Sequence, residues 1–282
     1  MARRRHLALV LLTALAMTLA GCGSGGGARG DTTASSSREG AATGKEGITV
    51  VAASSSRGGA ATGKEGITVV AASSLQPAFR RLAEKAPGLE VRLSFAGSNR
   101  IASQVRNGLP ADVVATADEE TLAGLRREGL LDGDPVVFAT NHLAIAVRSG
   151  NPEGIRGLED LARPGLQVVL AAPSVPAGRY AQQVLSRAGV RAHPFSLEDS
   201  VAAVAARVAR GEADAGVVYA SDGRRPGGLE TVSIPAGQNV IARYPIAVLD
   251  TTGRRAAADR FVRFVMSAEG QRILAGAGFG SP

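Results

Sequence analysis

The feature that most constrains the fold is a regular alternation of β-branched apolar runs with amphipathic segments, which begins at residue 66 and continues towards the C-terminus. This alternation is typical of α/β proteins with mostly parallel sheets and helices on both faces. The predicted strands cover residues 67–71, 89–95, 113–115, 136–139, 143–147, 167–171, 215–219, 230–234 and 246–249. The predicted helices cover residues 74–85, 98–107, 119–128, 158–162, 177–188, 200–210 and 255–277. Ligands of such folds bind where strands end and helices begin, so these turns are where we expect a site.

The N-terminus has a different character. Three arginines at residues 3–5 precede an apolar run over residues 7–19, and the sequence Leu19-Ala20-Gly21-Cys22 follows at once. This order is typical of a cleaved signal peptide, and the run is too short to span a bilayer comfortably. Leu-Ala-Gly-Cys also resembles a bacterial lipobox, whose cysteine becomes the lipidated N-terminus. We expect a signal peptide over residues 1–21 and a lipid on Cys22, with an incidental cysteine after an ordinary signal peptide as the alternative.

Residues 22–65 are rich in Gly, Ser, Ala and Thr, which predicts a flexible tether after the lipidated cysteine. The tether contains a repeat, because residues 35–55 recur almost unchanged as residues 54–74. Two near-identical copies indicate a recent tandem duplication rather than a solenoid. Only the second copy continues into the amphipathic segment at Leu75, so we assign the first folded strand to the second copy.

Composition excludes several classes of protein. The chain has 282 residues, of which 45% are hydrophobic and 20% charged. These values exclude a wholly disordered chain and a multi-span membrane protein. Its formal net charge is +7, but the basic residues form no cluster with interleaved aromatics. We therefore expect no nucleic-acid partner. The single cysteine, Cys22, excludes an intramolecular disulfide.

Four helix starts combine small or hydroxyl residues with free backbone amides. They lie at residues 73–74, 97–99, 176–178 and 199–201. A helix N-terminus attracts anions, because its first amides lack internal partners and its dipole is positive there. Four such ends together would offset about two negative charges without any Lys or Arg. The alternative at each start is that the serine or asparagine only caps its helix.

Little in the sequence favours an enzyme. After the signal peptide only His142 and His193 remain, and neither lies in a nucleophile-elbow or metal-ligand context. We expect no catalysis, no cofactor and no resident metal, with a secreted Ser/His hydrolase as a distant alternative. Asp112, at a loop-to-strand junction, is interpreted as structural. Tyr219, at the end of a strand, is either a hydroxyl donor to a bound anion or a core ring.

Several runs of the sequence together resemble the molybdate-binding proteins of ABC importers, in that family's order and spacing. The runs are residues 67–75, 94–98, 108–114, 175–180, 198–201 and 211–219. The resemblance covers residues 66–282. It implies the type II periplasmic-binding-protein fold, in which two α/β lobes are joined by two crossing segments. By this resemblance lobe one comprises residues 66–140 and 242–282, and lobe two comprises residues 141–241.

The resemblance also implies the ligand and its contacts. The oxyanion, molybdate or tungstate, would be held by the donors of five residues: the hydroxyls and amides of Ser74 and Ser98, the amides of Ala177 and Val201, and the hydroxyl of Tyr219. Gly97 departs from the family pattern, because a second small hydroxyl residue often stands there, and we expect a looser loop. The implied protein is a monomeric receptor, anchored outside the cytoplasm through Cys22, that hands its ligand unchanged to an importer permease. A receptor for another oxyanion, such as sulfate or phosphate, remains an open alternative.

Overall fold

The computed structural model describes residues 63–225, 227 and 229–282. The predicted signal peptide, Cys22 and the first copy of the repeat lie outside the described residues. The strands are β1 (Glu65–Ala72), β2 (Leu89–Ala96), β3 (Val113–Ala115), β4 (Val136–Arg148), β5 (Val168–Ala171), β6 (Ser196–Glu198), β7 (Ala215–Tyr219), β8 (Leu229–Ser233) and β9 (Ile241–Val248). The helices are α1 (Gln76–Lys85), α2 (Ser98–Arg106), α3 (Glu119–Arg127), α4 (Pro176–Arg187), α5 (Val201–Ala209), α6 (Arg255–Met266) and α7 (Ala268–Gly276). Within this part of the chain, no helix has the length and apolar character needed to cross a membrane.

The strands form one nine-stranded sheet in the order β2-β1-β3-β9-β4-β7-β5-β6, with β8 paired to β4. The α/β class is confirmed, but the expectation of mostly parallel sheets needs a correction. Strand β1 pairs in parallel with β2 and β3, and β5 pairs in parallel with β6 and β7. The pairings of β4 with β7, β8 and β9, and of β3 with β9, are antiparallel. The reason is that the chain crosses the middle of the sheet along β4 and returns in the opposite direction along β9.

Strand β1 shows which copy of the repeat is folded. It lies between β2 and β3, and Ile67, Val69 and Val70 are at most 2% exposed. A parallel strand buried on both faces needs a continuous β-branched run, and the second copy supplies it. The assignment of the folded strand to the second copy is therefore confirmed.

Several predicted boundaries change in the structure. The two strands predicted over residues 136–139 and 143–147 are one strand, β4, because the polar residues between them pair with β9 where the two strands cross. For the same reason β9 begins at Ile241, ahead of the predicted start. The short edge strand β6 was not predicted. The helix predicted over residues 255–277 is divided at Ser267, whose hydroxyl accepts from the amide of Gly270 at 3.2 Å and caps α7.

The helix predicted over residues 158–162 is a 3₁₀ turn (Leu158–Ala162), and another 3₁₀ turn (Ser73–Leu75) precedes α1. The proposed lobe boundaries, at residues 140/141 and 241/242, fall inside β4 and at the first residues of β9. These are the two strands that cross the middle of the sheet. The division into two lobes stays a prediction.

Candidate functional site

A small, partly open cavity is lined by all five residues that the resemblance implies as ligands. Its volume is about 10 Å³, counted as the space open to a water-sized sphere, which is close to the least that holds one water molecule. It is lined by Ala72, Ser73, Ser74, Gly97, Ser98, Ala117, Val175, Pro176, Ala177, Val201 and Tyr219. None of the five implied ligands is more than 3% exposed. A larger groove of about 650 Å³ lies beside α4, but none of the five lines it.

The cavity has two sides, each built where parallel strands end. On the serine side, Ser74 lies in the 3₁₀ turn that follows β1, and Ser98 is the first residue of α2, after β2. On the amide side, Ala177 lies in the first turn of α4, after β5, and Val201 opens α5, after β6. Tyr219, the last residue of β7, completes the amide side. The four predicted starts therefore line one cavity, but the first of them is the 3₁₀ turn Ser73–Leu75 and not the start of α1.

The structure also shows which of the serines cap a helix. The hydroxyl of Ser200 accepts from the amide of Ala203 at 3.3 Å, so that serine caps α5. The N-cap of α2 is Gly97, and Ser98 follows it as the first helical residue without making a capping bond. The turn at Ser73–Leu75 also has no side-chain cap. The hydroxyls of Ser74 and Ser98 are thus left for the cavity that they line.

The hydroxyls of Ser98 and Ser74 are arranged to donate into the cavity. The oxygen of Ser98 accepts from the backbone amide of Ala117 at 3.1 Å, and that of Ser74 accepts from the hydroxyl of Tyr244 at 3.3 Å. A hydroxyl that accepts from the protein keeps its own proton for another partner. The hydroxyl of Tyr219 is buried and makes no hydrogen bond of good geometry among the described residues, although the phenol of Tyr244 lies close to it. A buried donor without a partner is costly, which indicates a ligand contact there.

The electrostatics of the cavity suit an anion bound by neutral donors. No Lys or Arg lines it, so the positive potential comes from the helix N-termini and backbone amides. Burial raises the pKa of the Tyr219 and Tyr244 phenols well above the usual tyrosine value. Both phenols therefore keep their protons and remain donors at any physiological pH.

A family comparison adds to this geometry. The sequence profile described as "Bacterial extracellular solute-binding protein" matches residues 67–280.

The chain belongs to this family.

Individual relatives agree with that membership. This solute-binding protein is 42% identical over 214 residues to the molybdate-binding protein ModA of Mycobacterium tuberculosis (strain ATCC 25618 / H37Rv), covering 74% of this chain and 82% of that protein. It is 27% identical over 236 residues to a sulfate-binding protein of Synechococcus elongatus, covering 72% and 67% of the two chains. The solved Azotobacter vinelandii periplasmic molybdate-binding protein superposes with a TM-score of 0.67 at 24% identity, covering 77% of this chain and 99% of that one. The predicted periplasmic-binding-protein fold is confirmed.

Gly97 of this solute-binding protein has a packing reason that the sequence did not reveal. A Cβ atom at this position would lie 2.5 Å from the carbonyl oxygen of Asp199, which precedes α5 on the amide side. Real Cβ atoms do not approach a backbone oxygen so closely. The expectation of a looser loop is therefore wrong, because Gly97 lets the two sides approach closely where a hydroxyl residue would not fit.

Charged contacts across the cavity were also missed. The guanidinium of Arg179, in α4, pairs with the carboxylate of Asp118, which has 4% side-chain exposure, and lies 3.3 Å from Glu120. Nearby, Arg100 lies 3.4 Å from Asp199. Asp118 directly follows Ala117, so Arg179 neutralises a carboxylate that would otherwise repel an anion. The only sequence signal was that Arg179 lies two residues after Ala177.

The other residues singled out by sequence lie elsewhere. Asp112 does not line the cavity: its carboxylate accepts from the amide of Thr68 at 2.7 Å and from the hydroxyl of Thr252 at 2.6 Å, which is a structural role. His142 and His193 are exposed and do not line the cavity that holds both serines. Within the described part of the chain, no cluster of three or more His, Cys, Asp or Glu side chains is arranged to hold a metal ion.

Proposed function

We propose that this chain is the receptor of an importer for molybdate, with tungstate as a second ligand of the same geometry, and that it delivers the oxyanion to an ABC-type permease. The observation that carries the proposal is the cavity itself, where three helix starts, one 3₁₀ turn and four hydroxyl residues come together without a basic side chain. The 42% identity to a protein named for molybdate binding supports this ligand over the more distant sulfate-binding relative.

The proposed contacts follow from the donors present. The amides of Ser74, Ser98, Ala177 and Val201 and the hydroxyls of Ser74, Ser98 and Tyr219 surround a tetrahedral dianion in this proposal, for which the two sides must stand further apart than in the cavity of about 10 Å³ described above. Each hydrogen bond to a charged partner contributes about 1.5–3 kcal/mol. The donors come from both sides of the cavity, so the shell is complete only when the two sides are together. The ligand therefore stabilises the closed arrangement.

Size is the proposed basis of selectivity. Sulfate and molybdate are both tetrahedral dianions and differ mainly in bond length. Neutral donors that are fixed by helix starts for the larger ion leave the smaller ion under-bonded, because the backbone cannot follow it inward. The ion undergoes no reaction in this account, and the serines act as donors rather than nucleophiles.

A panel of oxyanions tests the ligand assignment. The melting temperature of the protein is measured with molybdate, tungstate, sulfate and phosphate at matched concentrations, since a ligand that binds only the folded state raises it. We expect the largest increase with molybdate or tungstate. A larger increase with sulfate or phosphate would favour the alternative receptor. If replacing His142 and His193 abolished the biological activity of the protein, the Ser/His hydrolase alternative would be favoured instead.

We further propose that the receptor is exported and held at the outer face of the cell membrane by a lipid on Cys22. The Leu-Ala-Gly-Cys junction supports this anchor. Cys22→Ser should release the protein into the medium or leave it unprocessed, as shown by fractionation and intact mass. Correct cleavage of the variant with full retention on the membrane would contradict the anchor.

A further inference from the structure

Arg225 makes a contact across the cavity wall that the proposed ligand shell does not include. It directly follows the 3₁₀ turn Ala220–Arg224, and that turn begins immediately after Tyr219, the last residue of β7. Its guanidinium Nη2 donates to the backbone carbonyl of Ser73 at 2.8 Å, a contact between residues 152 positions apart. Ser73 and Ser74 line the serine side of the cavity, whereas Tyr219 lines the amide side. Arg225 itself does not line the cavity.

The same guanidinium is held by a buried acid. Its Nε lies 3.1 Å from Oδ1 of Asp222, whose side chain is 0% exposed. Neither atom has a hydrogen-bond partner of good geometry in the described part of the chain, so the contact is one of opposite charges rather than an aligned hydrogen bond. The other carboxylate oxygen of Asp222 accepts from the backbone amide of Tyr219 at 3.1 Å. One chain of contacts therefore runs from Tyr219 through Asp222 and Arg225 to Ser73.

The charges of Asp222 and Arg225 depend on one another. Burial raises the pKa of Asp222 to about 6, while Arg225 and the amide of Tyr219 act to lower it. A buried carboxylate without a cation is costly, so Asp222 favours keeping Arg225 in place. The Arg225 side chain is 21% exposed, so its charge is partly screened by solvent, whereas Nη2 makes a directed hydrogen bond to the carbonyl of Ser73.

We propose that Arg225 is a positioning residue of the oxyanion site, which fixes the Ser73–Ser74 turn relative to Tyr219. The role rests on the proposed function, because it concerns the same cavity. Arg225 does not touch the ligand. It acts through the carbonyl of Ser73, which precedes a ligand residue on the serine side, and through Asp222, which holds the backbone of a ligand residue on the amide side.

The test compares Arg225 with its neighbour. Arg225→Gln and Arg224→Gln remove the same formal charge at adjacent positions, but Arg224 is exposed and makes no contact with Ser73. Arg225→Lys retains the charge and a donor. Molybdate affinity is measured by calorimetry, the dissociation rate by stopped flow, and the melting temperature without ligand confirms folding.

We expect Arg225→Gln to weaken molybdate binding by about tenfold or more, mainly through faster dissociation, because one charged donor bond is lost. Arg224→Gln should stay within about twofold of the parent, since a solvated charge contributes little. Arg225→Lys should recover part of the loss. Equal affinities for Arg225→Gln and Arg224→Gln in a parent that binds molybdate would overturn the positioning role alone. A parent that binds none of the oxyanions would instead reject the proposed function, and this role with it.

Discussion

The two sides of the cavity present their donors in different ways. The serine side offers side-chain hydroxyls, Ser74 and Ser98, each already accepting a hydrogen bond from the protein. The amide side offers mainly the backbone of Ala177 and Val201, whose apolar side chains carry no donor. The donors of the serine side thus depend on which residues are present, whereas the backbone donors of the amide side depend on where the helices start. Substitutions can remove donors from the serine side directly, whereas on the amide side only the Tyr219 hydroxyl can be removed in this way and the amides of Ala177 and Val201 respond only to changes of the backbone.

The largest effect is expected on the serine side. Ser98→Ala should weaken molybdate binding by about 10- to 150-fold, because a hydroxyl bond to a charged partner contributes about 1.5–3 kcal/mol and each 1.4 kcal/mol is tenfold. Ser74→Ala, and Tyr219→Phe on the amide side, should weaken molybdate binding in calorimetry to the same extent as Ser98→Ala. Ser98→Ala also leaves the amide of Ala117 without its acceptor, so we expect a loss of folding stability of about 1–3 kcal/mol.

Controls separate binding from capping at these positions. Ser200→Ala removes a cap and should lower the free energy of unfolding by about 1 kcal/mol with little change in affinity. His142→Ala and His193→Ala should leave affinity unchanged, since both side chains are exposed away from the cavity. Parental affinity in Ser98→Ala, Ser74→Ala and Tyr219→Phe together would show that the hydroxyls of neither side bind the ion.

A second change tests whether the two sides must approach closely. Gly97→Ala places a Cβ atom 2.5 Å from the carbonyl oxygen of Asp199, although the backbone of Gly97, at φ −61° and ψ 143°, accepts any residue. Overpacking costs about 1–3 kcal/mol of free energy, and if this cost falls on the arrangement that binds the ligand, it corresponds to roughly 5- to 150-fold weaker molybdate binding. Gly237→Ala, in an open exposed turn, is the matched control. Unchanged affinity in Gly97→Ala would mean that this approach of the two sides is not needed.

The amide side is tested by a proline at the start of α5. Val201→Pro removes one amide, and proline is tolerated at the first helical position. Ser200 has φ −158° and ψ 155°, the extended conformation that a residue before proline prefers. We expect about tenfold weaker binding in calorimetry. Val201→Ala keeps the amide and loses the side chain, so equal affinities of the two variants would exclude the Val201 amide as a ligand.

The smallest effect concerns the repeat. The second copy supplies β1, so deleting residues 35–53 should leave molybdate affinity and the melting temperature essentially unchanged. The measurements are calorimetry and a thermal melt of the deletion variant against the full chain. A fall of several degrees would show that the first copy contributes to the folded sheet.

The parts predictable from sequence are the local ones. The helix starts at Ser98 and Val201 and the buried strand β1 each depend on a short run of residues, in which β-branched patterning or small residues before an amphipathic segment suffice. The ligand set could not be predicted in this way, because no local pattern shows that three helix starts and the Ser73–Leu75 turn meet in one cavity. That step came from the order and spacing of the runs that resemble molybdate-binding proteins.

The parts missed are those that depend on distant packing. The contacts of Arg179 with Asp118 and of Arg225 with Ser73 join residues far apart in sequence, and each arginine alone is indistinguishable from a solvated surface charge. Gly97 was misinterpreted because the atom that requires a glycine belongs to Asp199. Strand β6 was missed because three residues are too few for an alternation to be recognised.

The central claim is that both sides of this one cavity bind the oxyanion. Crystals of the protein grown with molybdate, measured at the molybdenum absorption edge, test it most directly. The account predicts one anomalous peak inside the cavity, with the oxygens of the ion about 3 Å from the hydroxyls of Ser74, Ser98 and Tyr219 and from the amides of Ala177 and Val201. A peak at any other place, or contacts to only one side, would contradict it.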